Sequence, residues 1–253
     1  MSGVPPVAPL AAAQFLTRLP IRLRAAPDLA RSVPWFPVVG ALIGVFVGAI
    51  AAVGAELVPM PVAAALAVLA GIALTGAFHE DGLADTADAL GGWTPEQRRE
   101  ILKDSRHGSY GVAAMSGTIL LRVVCLASLG PAAAFAGSVA AHTLGRTAAV
   151  GVMAAAPPPA PSGLGADHVR DLSRPAGWLG VVAGVVIAFV ATGWWAGPLA
   201  LAALVAAVLV ARLAVRAFGG VGGDHLGAIE QVAECLVLVV VAGLATRHDL
   251  WWT

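Results

Sequence analysis

Charged side chains are scarce in this sequence. Aspartate, glutamate, lysine and arginine make up 12% of its 253 residues, about half the usual share, while 58% are hydrophobic and mean hydropathy is +0.84. A soluble chain of this size needs more polar surface, so the composition excludes one and points to a polytopic membrane protein. An excess of either sign is missing too. Fifteen basic residues balance fifteen acidic ones, and nothing suggests nucleic acid as a partner. Cysteine is nearly absent. Cys125 and Cys235 both lie in apolar runs and read as small buried hydrophobes rather than a disulfide or a metal pair. The first ten residues lack the basic segment of a secretory signal, so no cleaved targeting peptide is expected. No internal repeat is apparent.

Long apolar runs, by contrast, are plentiful. Spanning candidates fall at 36–56, 61–79, 111–130, 132–155, 177–195, 199–217 and 229–246. Each is long enough, at ~1.5 Å per residue, to cross a hydrocarbon core of about 30 Å. The expected fold is all-α: a polytopic integral membrane helical bundle of about seven transmembrane helices plus interfacial helices, one domain over 1–253. Its N-terminal part, 1–35, is cytoplasmic or interfacial, with a short helix over 14–20 ended by Pro20. Gly40, Gly44 and Gly48 give the first span a close-packing face.

The bias of Lys and Arg sets the orientation. Arg18, Arg22, Arg24, Arg31, Arg98, Arg99, Lys103, Arg106, Arg170 and Arg174 share one side, and Arg247 stands on the other. The N-terminus is therefore expected to be cytoplasmic, as are the charged loops 80–110, 156–176 and 218–228. Trp35 and Trp178 are expected to anchor one interface, and Trp194, Trp195, Trp251 and Trp252 the other.

Four of the few acids are concentrated in one place. Glu80, Asp81, Asp85 and Asp88 follow directly on an uncharged run. On a helix, Asp81, Asp85 and Asp88 fall at i, i+4 and i+7, within roughly 60° of arc, where like charges repel unless a cation lies between them. A hard divalent ion such as Mg2+ is the economical answer. Thr94 and Pro95 read as an N-cap and first residue of a helix running to Leu102. Beyond it come Lys103, Asp104, Ser105, Arg106, His107, Gly108, Ser109 and Gly111. Their cations, hydroxyls and glycine N–H groups can bind an anion. An acidic metal site beside a basic, glycine-rich anion site suits phosphoryl transfer from a diphosphate.

Ionisable residues inside spans are functional candidates by default. His142 and Arg146 stand at i, i+4, as do Glu230 and Glu234, and Arg122 is placed to pair with one of those acids. The loop 218–228 carries five glycines and Asp224, a backbone that admits a ligand closely. His79 and His225 are undecided between ligand, base and no role.

The run His79-Glu80-Asp81-Gly82-Leu83-Ala84-Asp85-Thr86-Ala87-Asp88, with Lys103-Asp104-Ser105-Arg106-His107-Gly108-Ser109-Tyr110-Gly111, resembles the signature of the cobalamin synthase family, the adenosylcobinamide-GDP ribazoletransferases. The resemblance extends over Phe15-Leu16-Thr17-Arg18-Leu19-Pro20, Trp35-Phe36-Pro37-Val38-Val39-Gly40, and Gly219-Gly220 with Gly223-Asp224. Two positions depart from the family pattern: Gly222, where a Thr is usual, and His107, where an Ile is common.

The resemblance implies a multi-pass enzyme of the bacterial inner membrane; whether it is a homo-oligomer the sequence leaves open. It would join adenosylcobinamide-GDP to α-ribazole or its 5′-phosphate, release GMP and require Mg2+. From the residues themselves, Glu80, Asp81, Asp85 and Asp88 are the expected metal ligands and Asp81, Asp85, Asp104 and Asp224 the expected catalytic residues, with Asp104 or Asp224 as base or second metal ligand. Arg18, Lys103, Ser105, Arg106, His107, Gly108, Arg146 and Gly223 would be substrate-binding. Two rival readings fit less well. A CDP-alcohol phosphotransferase needs Asp where Phe78 stands, and a transporter needs polar groups near mid-membrane in corresponding halves, whereas these charges cluster at one interface.

Overall fold

A computed structural model describes residues 7–23, 28–104, 106–155 and 172–253, and no β-strand occurs among them. The helices are α1 (Val7–Leu16), α2 (Leu29–Ser32), a 3-10 turn (Val33–Trp35), α3 (Phe36–Gly54), α4 (Met60–Thr75) and α5 (Phe78–Ala89). They continue with α6 (Pro95–Ile101), α7 (Ser109–Ala127), α8 (Pro131–Ala155), α9 (Arg174–Thr192), α10 (Ala196–Phe218) and α11 (Gly223–Ala245). A helix stands at each of the seven expected spans. Fewer are long and apolar enough to count as crossings: four segments, or five if the bent pair α4–α5 is one. The difference has three sources. α4 has only 16 residues; α9 and α10 run on through the 3-10 turn at Gly193–Trp195 as one 45-residue stretch; and α8 carries His142, Thr143, Arg146 and Thr147 among its alanines.

α8 is the axis of the bundle. From Ala136 to Val150 no residue is exposed, and most are Ala, Gly, Ser or Thr, so neighbouring helices approach closely on every side. α3 lies along it through the expected glycine stripe. A Cβ on Gly44 would stand 2.6 Å from the Ser138 carbonyl oxygen and from the Val139 Cα, and one on Gly48 would stand 2.8 Å from the Phe135 carbonyl oxygen. The outward faces are apolar and open: Leu42, Leu66, Leu120, Leu179, Phe189, Leu201 and Leu209 are all more than half exposed. This is a surface for lipid rather than water, and the chain is a multi-pass membrane protein.

α1 ends at Leu16, short of Pro20. Trp194, Trp251 and Trp252 gather at the α9–α10 turn, where the indole N–H of Trp252 donates to the Ala191 carbonyl at 3.0 Å. Trp195 departs from the expected anchoring role. It is 1% exposed, turned inward to fill the core beneath that turn.

The segment that positions the site is α5. Gly76 (φ 70°) ends α4 in the left-handed region, and Ala77 (φ 58°) repeats that conformation, which a residue with a Cβ adopts at a cost. The two together turn α5 by 88° from α4. α5 is held there by small residues. A Cβ on Gly82 would meet the backbone of Asp224 at 2.9 Å, and Gly227 faces the backbone of His79.

Gly44→Leu is expected to cost about 1–3 kcal/mol by overpacking α3 against the α8 backbone, lowering the melting temperature in detergent. Gly117→Leu, on an open face with no atom within 4 Å, leaves it unchanged. Equal melting of both variants would show that the stripe is not a packing seam.

Candidate active site

Two layers of charge meet on α5. The outer layer faces the open end of the bundle. Asp81 and Asp85, one turn apart, converge on His107: Nε2 lies 3.4 Å from Asp81 Oδ1 and Nδ1 lies 3.5 Å from Asp85 Oδ1. These three side chains offer donor atoms within 4.8 Å of one another, which suits a metal ion. Asp224, on the first turn of α11, adds its charge to the same group.

The Asp85 carboxyl is pushed up to about 6. Partial burial is the largest cause, followed by the charges of Asp81 and Asp224, with His107 opposing them. The acids thus repel, as their spacing predicts, and a cation bound among them would relieve that repulsion.

Asp88, the third acid of the stripe, has other work in this structure. Its two oxygens accept the backbone N–H groups of Gly108 (2.6 Å) and Gly111 (2.8 Å), which caps α7 with a carboxylate. The glycine N–H groups expected to face an anion are therefore engaged by Asp88. The gain is positional, because this cap brings His107 over Asp81 and Asp85. Arg106 is likewise occupied. It holds Asp104 through several bonds, the shortest 2.7 Å, and keeps that carboxyl down at about 2. Asp104 stays on the outer loop beside Gly91 and Trp93 rather than joining the acids of α5. Lys103 and Arg18 are exposed, and the Arg18 side chain lies across Gly76 at the α4–α5 bend. Ser105 falls outside the described residues. Thr94 caps α6 as expected, accepting the Gln97 N–H at 3.2 Å.

The inner layer is buried. Glu80 points away from the acidic stripe and accepts a bond from Arg122 Nη2 at 2.8 Å, while Arg122 Nη1 reaches Glu234 at 3.1 Å. Arg146 binds Glu230 and also lies 3.2 Å from Glu234, whose third neighbour is His142 Nδ1 at 2.9 Å. His79 Nδ1 sits 3.6 Å from Glu230, and Gln231 donates to Glu230 at 2.9 Å. Every one of these residues is at most 6% exposed. The expected pairing of Arg122 with a buried acid is found, doubled, and the i, i+4 pairs of α8 and α11 meet face to face. His142, Glu230 and Glu234 also bring donors within 4.8 Å, but Arg146 already stands among them as the resident cation. Glu80 therefore belongs to this ionic core and not to the outer acids.

A lipid-facing helical bundle with an acid cluster at one end, set over a buried ionic core, defines a multi-pass membrane protein with a polar site at its mouth. The family model described as cobalamin-5-phosphate synthase matches residues 8–242. Curated relatives named adenosylcobinamide-GDP ribazoletransferase include one from Chlorobaculum tepidum, 38% identical over 91% of this chain and 93% of its own length. Others come from Azorhizobium caulinodans (38%, over 94% and 96%) and Bradyrhizobium diazoefficiens (39%, over 91% and 91%). The chain belongs to the cobalamin-5-phosphate synthase family. No solved structure matches it.

Two tests address the layers separately. Asp85 is raised from 3.8 to about 6 in the fold, so its contribution to stability is complete below pH 3.8 and is lost as pH rises through about 6. In EDTA, the melting temperature of the wild type should gain more on going from pH 7 to pH 5 than that of Asp85→Asn; parallel curves would contradict this. Arg122→Met leaves Glu80 buried without a cation, while Glu234 keeps Arg146, and should cost about 3–5 kcal/mol. An unchanged denaturation midpoint would remove the ionic core from the stability argument.

Proposed function

We propose that this protein is a membrane-bound adenosylcobinamide-GDP ribazoletransferase, joining adenosylcobinamide-GDP to α-ribazole or its 5′-phosphate and releasing GMP. Chain-long relatedness to enzymes of that name supports the reaction. The observation that carries the site is the convergence of Asp81, Asp85 and His107, with Asp224 beside them, at the open end of the bundle.

Asp81 and Asp85 are hard oxygen donors and fit Mg2+; Glu80 is engaged by Arg122. Held there, Mg2+ would neutralise charge on the oxygens of the diphosphate. Asp88 fixes Gly108 and Gly111 at the start of α7, and the exposed Lys103 and Arg18 supply positive charge toward the departing GMP. The 3′-hydroxyl of α-ribazole attacks the cobinamide-linked phosphorus and passes its proton to Asp224. A new P–O bond forms as the bond to the bridging oxygen breaks, and GMP leaves with that oxygen. Asp224 suits the base role better than Asp104, whose carboxyl is held ionised at about 2 by Arg106 and is a weak proton acceptor.

The distribution of cations supports a cytoplasmic site in a bacterial inner membrane. Arg98, Arg99, Lys103 and Arg106 lie around the acid-bearing end, whereas Arg247 follows α11 at the other.

Purified protein in lipid, given both substrates and Mg2+, should yield GMP and cobalamin in equal amounts and stop on addition of EDTA. Asp81→Asn and Asp85→Asn should each lower the rate by about two orders of magnitude or more. Asp88→Asn, which keeps an acceptor oxygen for the α7 cap, should lose less. Near-normal rates in both of the first two variants would overturn the acid assignment, and no product from folded wild-type protein would overturn the reaction.

A further inference from the structure

At the start of α5, a cavity of about 80 Å3 is lined by α1, α3, α5, α8 and α11. A single water takes about 10–15 Å3 on this measure, so the space admits one bicyclic ring but neither a corrin nor an acyl chain. Its walls are aromatic. Phe15 stacks on Phe36 with ring centroids 5.5 Å apart and planes at 9°, and meets Phe78 edge-on at 5.2 Å. Met153 closes the far side. Its floor is polar: His79, Arg146 and Glu230 all reach the cavity, and the Nε of Arg146 is buried without a hydrogen-bond partner. Gly223 forms part of the rim, immediately before Asp224, so the cavity and the acid cluster share the first turn of α11.

We propose that this cavity binds the planar heteroaromatic base of the acceptor nucleoside, against the phenylalanine cluster and above His79 and Arg146. The inference rests on the transferase reading and names where one of its two substrates is recognised. Phenylalanine walls disfavour a phosphate or a metal ion, and an aliphatic chain has no use for an ionic floor. A bicyclic base with one or two ring nitrogens matches both surfaces. Guanine, the other base in the reaction, asks for a carboxylate to receive its N–H edge. Glu230 is the one in reach, and its oxygens are already engaged by Arg146, Gln231 and His79. The acceptor base therefore fits the floor better than guanine does.

The test uses full-length protein in lipid and two variants remote from the acids. Ala149→Phe fills the cavity; Met153→Ala enlarges it. Ala149→Phe should raise KM for α-ribazole roughly tenfold or more, with KM for adenosylcobinamide-GDP within about twofold of wild type. Met153→Ala should shift preference toward ribosides with bulkier bases, and it keeps the test open if Ala149→Phe fails to fold. A rise confined to adenosylcobinamide-GDP would put guanine in the cavity and overturn the proposal, as would unchanged constants in both variants. Equilibrium binding of free benzimidazole separates this from failure of the reaction itself. Binding to wild type that is lost in Ala149→Phe upholds the cavity even where no transfer occurs, and no binding to wild type overturns it.

Discussion

Two arginines buried among three glutamates are the constraint on which the rest of this structure depends. Arg122 of α7 and Arg146 of α8 can stay inside an apolar bundle only while Glu80, Glu230 and Glu234 surround them, because an unpaired charge there costs several kcal/mol. Each pair joins different helices, so satisfying the charges fixes α5, α7, α8 and α11 relative to one another. Apolar packing alone would not do this. Alanine faces slide past one another with little penalty, whereas a guanidinium shared between two carboxylates has few acceptable positions.

α5 shows how that constraint reaches the site. Its apolar content is too small to bury it deeply, and the left-handed Ala77 at its start is a strained connection. Three contacts hold it in place regardless: Glu80 to Arg122, Gly82 against the backbone of Asp224, and Asp88 to the N-terminus of α7. Glu80 and Gly82 come from two other faces of the helix, and Asp88, at the end of the acidic stripe, is drawn to α7. With α5 anchored in this way, Asp81 and Asp85 are left toward the open end, which is why two carboxylates that repel one another can be kept adjacent without a buried counter-charge of their own.

Features written in local sequence were legible there. The helices at the seven expected positions, the Gly40-Gly44-Gly48 seam and the Thr94 cap each depend on residues within a turn or two of one another, and the structure places them as expected. What depended on partners distant in sequence was not legible. The even spacing of Asp81, Asp85 and Asp88 gives no sign that Asp88 caps a helix 20 residues further on, nor that Glu80 faces inward to Arg122, 42 residues away. Arg106 looked free to bind an anion because its nearest acid, Asp104, was assigned a role of its own. His107 carried no signal beyond its departure from the family pattern, since its place over the acids is set by the Asp88 cap. Trp195 was misplaced because a tryptophan near a helix end reads the same in sequence whether it faces lipid or core. The difference in the count of crossings has a similar source: hydropathy sees α8 and α4 as spans without weighing that one is polar within and the other short.

The helix that carries the acids is also the wall of the aromatic cavity, and this joins the two halves of the proposed reaction. Phe78 and His79 line the cavity, while Asp81 and Asp85 hold the outer cluster, two to seven positions further along α5. At ~1.5 Å per residue those positions lie about 3–10 Å apart along the axis, comparable to the reach of a ribose between a base and its 3′-hydroxyl. A base seated against Phe78 would thus carry its ribose toward the acids without any change of fold. The network beneath α5 then has a catalytic consequence although none of its carboxylates faces the reacting phosphorus. By fixing α5 against α11 it sets the separation between the cavity rim at Gly223 and the acids beside Asp224. An error of about 1 Å in that separation would cost far more in rate than in stability.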